Sequence, residues 1–401
     1  MSRRIEPVAV TPLGLASAAG VGLRAFGDAL REQRSALAPN QDSRVPLTTW
    51  VGRVAGLETL ALPAALQACD CRATRLAWLG LQADGCIDAL LSARRRHGAA
   101  RVGLVVGTSA STIGASEAAY RTLAADGGFP APLRNERLNT LHAVAAFMQQ
   151  ALGLEGPCVT VSTACSSSAK AFAQGERWLR LGLVDAVVVA GVDALSDSLL
   201  FGFNALGLLS SEPCRPFDAT RRGISIGEAA GIVLLERGEG EIELLGYGES
   251  NDAHHMSAPH PEGLGAERAL DAALARAGRA ADEIGYLSLH GTSTARNDAV
   301  EAAMVARRYA AAVHASAIKG ITGHTMGAAG IVSAVACCLA LRDGLCAGTA
   351  GTTLVDPQLG PVFAQQLHVQ AAERKVRLAA SHSFGFGGNN CVLLFGRGQG
   401  A

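Results

Sequence analysis

The chain has 401 residues, 49% hydrophobic and 17% charged, and its 35 basic residues are balanced by 35 acidic ones. That length is enough for two domains or one large double domain with a sizeable core, and the zero balance argues against a general nucleic-acid binder. Ten cysteines lie scattered without a Cys-x-x-Cys, so free thiols in a reducing compartment fit better than a disulfide framework.

After Met1-Ser2-Arg3-Arg4, the residues Glu6, Pro7 and Pro12 interrupt what would be the apolar part of a signal peptide, so none is expected. Residues 8–10 read as a strand, 23–33 as a short amphipathic helix and 39–49 as loop. Residues 73–91 predict one helix with a long apolar face, and the basic run Arg94-Arg95-Arg96 reads as its solvated end. A strand is expected over 102–106, a helix from about 115 and another over 141–152.

Over 158–163, Val159 and Val161 alternate with hydroxyl residues, the period of a half-buried strand. Over 166–181, Ala169, Phe172, Ala173, Trp178 and Leu179 fall near helical spacing. Cys165 stands at the junction, near the positive end of a helix dipole, where unpaired N–H groups favour an anion. A thiol there is expected to have a lowered pKa and to be a good nucleophile; an inert buried cysteine is the alternative. A further strand at 186–190 completes a strand–helix–strand unit, which implies a parallel pair and a right-handed crossover.

Strands at 231–236 and 242–247 flank the charged turn Arg237-Gly238-Glu239-Gly240-Glu241, the best boundary candidate. Beyond it, helices over 266–277, 298–309 and 326–341 alternate with strands over 286–290, 315–318, 375–383 and 391–395, so each half is a similar α/β unit. The longest uncharged run, 320–341, holds four glycines and His324 and reads as a core helix rather than a membrane span. His290, Lys319 and His324 fall just past strand ends, where open α/β sheets place their chemistry. His254, His255 and His260 match no zinc spacing. The glycine loop 384–390 fits neither nucleotide-binding pattern; a turn whose N–H groups serve an oxyanion fits better.

These motifs together resemble the β-ketoacyl-acyl-carrier-protein synthases of the thiolase superfamily, over essentially the whole chain. The matching pieces are Thr163-Ala164-Cys165-Ser166, Pro216-Phe217-Asp218, Gly227-Glu228-Ala229, Asp252-Ala253-His254-His255-Met256, Pro259-His260-Pro261-Glu262-Gly263, His290-Gly291-Thr292-Ser293-Thr294, Asn297-Asp298, Lys319, Gly323-His324, Gly327-Ala328-Ala329-Gly330 and the 384–390 loop. The resemblance implies a five-layered α-β-α-β-α fold from two halves: 1–240 with the nucleophile, and 241–401 with the His/Lys/His residues and the glycine gate. It implies that Cys165 takes the acyl chain, that His290 and His324 bind the malonyl thioester and stabilise the enolate, and that Lys319 holds the histidine pair. Glu301 would pair with Lys319. The N–H groups of Cys165 and Phe386 would form the oxyanion hole, Phe386 would gate the pocket, and Thr292, Thr294, Gly387 and Gly388 would support the site. Two histidines are the pattern of the elongating type.

Asn389 stands where Thr is common, Pro12 where Gly is common, Ala230 where Gly is usual and Lys170 where His is frequent. The Cys165–Lys170 turn and the run 223–230 look more like ketosynthases of aryl-polyene pigment pathways. The implied setting is cytoplasmic, with acyl carrier protein as partner, a dimer with itself or a chain-length-factor paralogue, and no metal, cofactor, nucleic acid or membrane span. The competing classes are a thiolase-like acyltransferase on coenzyme A and a non-catalytic chain-length-factor subunit. The first needs a second catalytic cysteine, for which Cys391 is the nearby candidate; the second typically lacks the nucleophile.

Overall fold

Runs of Val, Ala, Ile and Leu form two mixed sheets in the computed structural model, which describes residues 4–41, 46–123, 127–128 and 138–398. The strands are β1 (Val8–Ser17), β2 (Gly20–Val21), β3 (Val102–Gly107), β4 (Cys158–Val161), β5 (Ala186–Asp193) and β6 (Ala229–Arg237), then β7 (Ile242–Asn251), β8 (Tyr286–Ser288), β9 (His314–Ser316), β10 (Leu378–Gly385) and β11 (Asn389–Arg397). The first sheet runs β2-β1-β6-β5-β3-β4 and the second β7-β11-β10-β8-β9. Leaving aside the short β2, which pairs antiparallel with β1, each sheet has two antiparallel pairings followed by two parallel ones. β4 in the first sheet therefore corresponds to β9 in the second, and Cys165 and His324 lie beyond equivalent strand ends.

Two helices fill the space between the sheets. The nucleophile helix, Ser167–Arg180, packs on β3 and β5; the core helix, Ala329–Asp343, packs on β10 and on the nucleophile helix. Their approach requires Gly330, where a Cβ would lie 2.5 Å from the Ala169 nitrogen. Ser168 ties them by accepting the Ile331 N–H at 2.9 Å. Arg72–Gln82, Cys86–His97 and Ala143–Leu152 cover the first sheet, and Leu264–Ala277 and Ala295–Arg308 cover the second. This makes five layers of thiolase type. The window Met326–Asp343 is apolar and long enough to cross a membrane, but 89% of it is buried inside the fold.

The helix expected over 73–91 is broken. Asp84 has φ 51 and Gly85 φ 71, and the chain restarts as Cys86–His97. The break turns the Asp84 carboxylate onto the Leu23 N–H at 2.6 Å, which caps the helix Leu23–Glu32. The first strand runs on to Ser17, with a register shift between Pro12 and Gly14. Of the 39–49 loop, residues 42–45 lie outside the described residues.

Candidate active site

Cys165 follows β4 in a tight turn. Ala164 adopts φ 52, a left-handed conformation that costs a non-glycine residue roughly 1–2 kcal/mol. Ser166 and Ser167 fasten this turn. Ser166 Oγ donates to the Thr163 carbonyl at 2.9 Å, and Ser167 Oγ accepts the Thr163 N–H at 2.9 Å and donates to Ala164 O. The turn is thus set by local hydrogen bonds before substrate arrives, and Cys165 is left as its buried apex.

His324 Nε2 lies 3.0 Å from the Cys165 sulfur, and the His290 ring stands edge-on to His324 with centroids 5.5 Å apart. The His324 peptide is held on both sides: its N–H donates to Ser225 O at 2.7 Å and its carbonyl accepts the Gly227 N–H at 2.9 Å. That gives the 223–230 run its local purpose. His290 is held likewise, because Glu301 accepts its N–H at 2.7 Å and Lys319 Nζ donates to its carbonyl. Burial is the main force pulling both histidines well below the ordinary imidazole pKa, with the Lys319 charge adding to it. They are neutral at working pH and free to donate a hydrogen bond.

Burial also pushes the Cys165 thiol up to about 11, against the pull of Lys319 and of the Phe386 N–H, which reaches the sulfur. The lowered pKa expected from a helix start is therefore reversed: desolvation of the buried thiolate outweighs the dipole. Among the described residues, Cys165, His290 and His324 also form the one His/Cys cluster close enough to hold a metal, their ligating atoms lying within 4.8 Å of one another. His254 and His260 pack ring against ring, and His260 Nδ1 accepts the Glu262 N–H at 3.2 Å.

A cavity of about 480 Å³ opens onto Cys165, His290 and His324 and is lined by Thr292, Thr294 and Phe386. The Thr292 and Thr294 hydroxyls lie 2.9 Å apart at its wall. Gly387 and Gly388 have φ 72 and 71, and a Cβ on Gly388 would meet Asp252 at 2.8 Å. The glycine loop is bonded to the 252–263 loop: the Asp252 N–H donates to Gly388 O at 2.9 Å and the Gly387 N–H to Met256 O at 2.7 Å. The Phe386 ring packs against Phe203 at 5.8 Å.

The model of the β-ketoacyl synthase N-terminal domain matches residues 5–240, and that of the C-terminal domain matches residues 242–353. The chain belongs to the β-ketoacyl synthase family. This synthase is 33% identical to "Nodulation protein E" of Rhizobium meliloti (strain 1021), over 98% of the chain and 99% of that protein. It is 39% identical to the "3-oxoacyl-[acyl-carrier-protein] synthase 2" of the same organism, over 61% of the chain and 62% of that protein. Among solved structures it is similar to the "Ketosynthase (ApeO) in Complex with its Chain Length Factor (ApeC) from Xenorhabdus doucetiae", with 34% identity, a TM-score of 0.85 and coverage of 97% of this chain and 98% of that one. The chemistry is that of a condensing acyltransferase.

Most residues named from the sequence meet at this synthase's cavity or directly behind it. One contact differs. Glu301 makes no ion pair with Lys319 among the described residues; its oxygens accept the N–H groups of His290 and Gly291, and its charge acts on Lys319 through space, against the effect of burial. Sequence reasoning missed Asp193. Fully buried at the end of β5, it accepts from Thr108 Oγ1 at 2.7 Å, from the N–H groups of Ser109 and Ala110, and from the Gly327 N–H at 2.7 Å. It thus pins the turn beyond β3 to the turn beyond His324. The available signal was a lone acid closing the otherwise apolar strand Ala186–Asp193. Met326 was also missed; its N–H donates to His324 Nδ1 at 3.1 Å.

Proposed function

We propose that Cys165, His290 and His324 carry out decarboxylative Claisen condensation between an acyl chain and malonyl-acyl carrier protein. The observation that carries this reading is the 3.0 Å contact of His324 Nε2 with the Cys165 sulfur in a cavity shared with His290. In the first half-reaction the Cys165 sulfur attacks the acyl thioester of the carrier protein. The N–H groups of Cys165 and Phe386 stabilise the tetrahedral oxyanion, and the carrier's thiol leaves with the proton. In the second, the malonyl thioester carbonyl accepts from His290 and His324. Loss of CO2 leaves the electron pair as an enolate, whose carbon attacks the acyl-Cys165 carbonyl. Collapse expels the Cys165 sulfur and forms the β-ketoacyl thioester.

We read the chain as two halves, 1–240 and 241–401, contributing the nucleophile and the histidines respectively. Lys319 fixes His290 through its carbonyl. Thr292 and Thr294 face the carrier's thioester arm, and the glycine loop with Phe386 opens and closes over Cys165. The working unit is a cytoplasmic dimer, of this chain with itself or with a chain-length-factor paralogue. The polar Cys165–Lys170 turn supports an aryl-polyene substrate. A coenzyme A thiolase is disfavoured because Cys391 is fully buried in β11 and its thiol is pushed by burial to about 12. Incubation of acyl-loaded protein with malonyl-carrier protein should release one CO2 per β-ketoacyl product. Carbon–carbon bond formation from acetyl-coenzyme A alone, without CO2, would overturn the reading.

A further inference from the structure

Two residues before Phe384, His382 is buried in β10. Its Nδ1 lies 3.0 Å from Glu301 Oε1 and its Nε2 lies 2.7 Å from the Tyr309 phenol. Tyr309 follows the helix Ala295–Arg308 that also carries Glu301, so one element presents both partners to the same ring. The Glu301 carboxylate accepts from Nδ1, and Nε2 is left to the Tyr309 hydroxyl, which can either donate or accept. Burial raises the Tyr309 pKa, which keeps that phenol protonated.

Glu301 Oε1 therefore takes two donors, the His382 ring and the His290 N–H, while Oε2 takes the Gly291 N–H at 2.8 Å. Tyr309, His382, Glu301 and the His290 peptide form one continuous buried chain of hydrogen bonds. The competing partner for Glu301 is the Lys319 ammonium, whose charge it already feels. Yet Lys319 Nζ is engaged with the His290 carbonyl. A carboxylate relieved of the His382 donor would be free to rotate toward that ammonium and would release the two N–H groups it now clamps.

We propose that His382, oriented by Tyr309, is a positioning residue for His290: it holds Glu301 on the His290–Gly291 peptide and away from Lys319. The inference rests on the role proposed above for His290. It is selective, because Glu301 reaches His290 directly, whereas Cys165 is positioned by its own serine turn and by His324.

The test separates the half-reactions. Decarboxylation of malonyl-carrier protein and alkylation of Cys165 by iodoacetamide are followed in the parent, His382→Leu, His382→Asn and Tyr309→Phe proteins. His382→Leu should lose up to about 10²-fold in the turnover number for decarboxylation, the scale of a small misplacement of a catalytic group, with an unchanged KM and unchanged alkylation. His382→Asn should recover most of the rate, because its amide still donates to Glu301. Tyr309→Phe should show a smaller loss of the same kind. Parent-rate decarboxylation in His382→Leu, or equal losses in both reactions without rescue by Asn, would reduce His382 to packing. Should His382→Leu not fold, parent-rate decarboxylation in Tyr309→Phe overturns the inference. If the parent itself releases no CO2, the functional reading fails instead. The positioning claim is then decided by ¹⁵N NMR of the His290 ring, whose resonances must move in Tyr309→Phe and His382→Asn if placement changes, and stay put if His382 only packs.

Discussion

The Met326 N–H donates to His324 Nδ1 at 3.1 Å, which leaves the ring proton of His324 on Nε2, 3.0 Å from the Cys165 sulfur. His324 therefore offers the nucleophile a hydrogen, not a lone pair. It suits stabilisation of an anion better than removal of the thiol proton. Met326 achieves this through a φ of 51, a conformation that Asp193 supports by holding the next residue, Gly327.

His290 and His324 should accordingly act on the malonyl group rather than in loading. Changing either to Ala should cost about 10²–10⁴-fold in decarboxylation, while some acyl transfer to Cys165 survives. Both are held well below the ordinary value of 6.5, so they stay neutral as acid is added. Decarboxylation should stay level from about pH 8 down to about pH 6, and a sigmoidal loss centred on the ordinary histidine value would contradict the geometry. Stability carries the opposite signature. As pH falls through about 6.5, the unfolded chain takes up protons that these buried rings refuse, so the melting temperature should drop across that range.

Cys165 should be the sole acyl acceptor, and Cys165→Ala should lose both condensation and acyl labelling. With its thiol near 11, the alkylation rate should climb with pH without a plateau through about pH 9. Mass spectrometry that placed an epoxide or acyl label on Cys391 or Cys158 instead would sink the assignment.

Much of this site was legible because its parts are local. A strand, a small-residue turn and a helix around Cys165 obey periodicities that a single sequence displays. The motifs around His290 and His324 carried the family resemblance. What stayed hidden depended on distant partners. The fate of the Glu301 carboxylate turned on His382, 81 residues away. The Cys165 pKa turned on burial, which the dipole argument at a helix start leaves out. The break at Asp84 served the Leu23 N–H, 61 residues earlier. Apolar periodicity over 73–91 continued straight through it.

The chain should be a dimer in solution. β4 ends its sheet, and its outer side is open. The Leu104 N–H binds Pro157 O and the Thr108 N–H binds Val161 O, so the odd-numbered residues of β4 face β3, and the N–H groups of Cys158 and Thr160 point off the edge. Beside that edge, His142 bonds Thr160 at 2.9 Å and its neighbour Leu141 is exposed. Pairing of β4 with a second copy or a paralogue would cover this edge isologously. Thr160→Pro removes an outward N–H, which an edge strand tolerates, together with the exposed hydroxyl contact to His142, and should shift the light-scattering mass toward monomer with the fold kept. A fully active parent monomer at nanomolar concentration would contradict the pairing.

The glycine loop should move, and its closed state should be latched from the nucleophile helix. Lys170 Nζ donates to Asn389 Oδ1 at 3.1 Å, and Asn389 Nδ2 donates to Phe386 O at 3.2 Å. These are two positions where the chain departs from the usual elongating pattern, and together they tie the residue that supplies an oxyanion N–H to the helix that follows Cys165. An acyl chain must pass Phe386, yet water must be kept from the enolate, so the loop needs both states. A proline at Gly387 would not lock it, because φ there is 72 and proline requires about −65°. Gly387→Ala is the informative change: it penalises the closed conformation by roughly 1 kcal/mol without blocking movement. Lys170→Met removes the latch's donor and keeps the side chain's length. Both variants should let long acyl carriers in more readily, lowering their KM, and should reduce the condensation rate because the Phe386 N–H is less often in place. Phe386→Ala should slow condensation more than it lowers the melting temperature. If stopped-flow loading of Cys165 and steady-state KM were both unchanged in Gly387→Ala and Lys170→Met with the fold intact, the loop would be a static turn and the latch an ordinary surface contact.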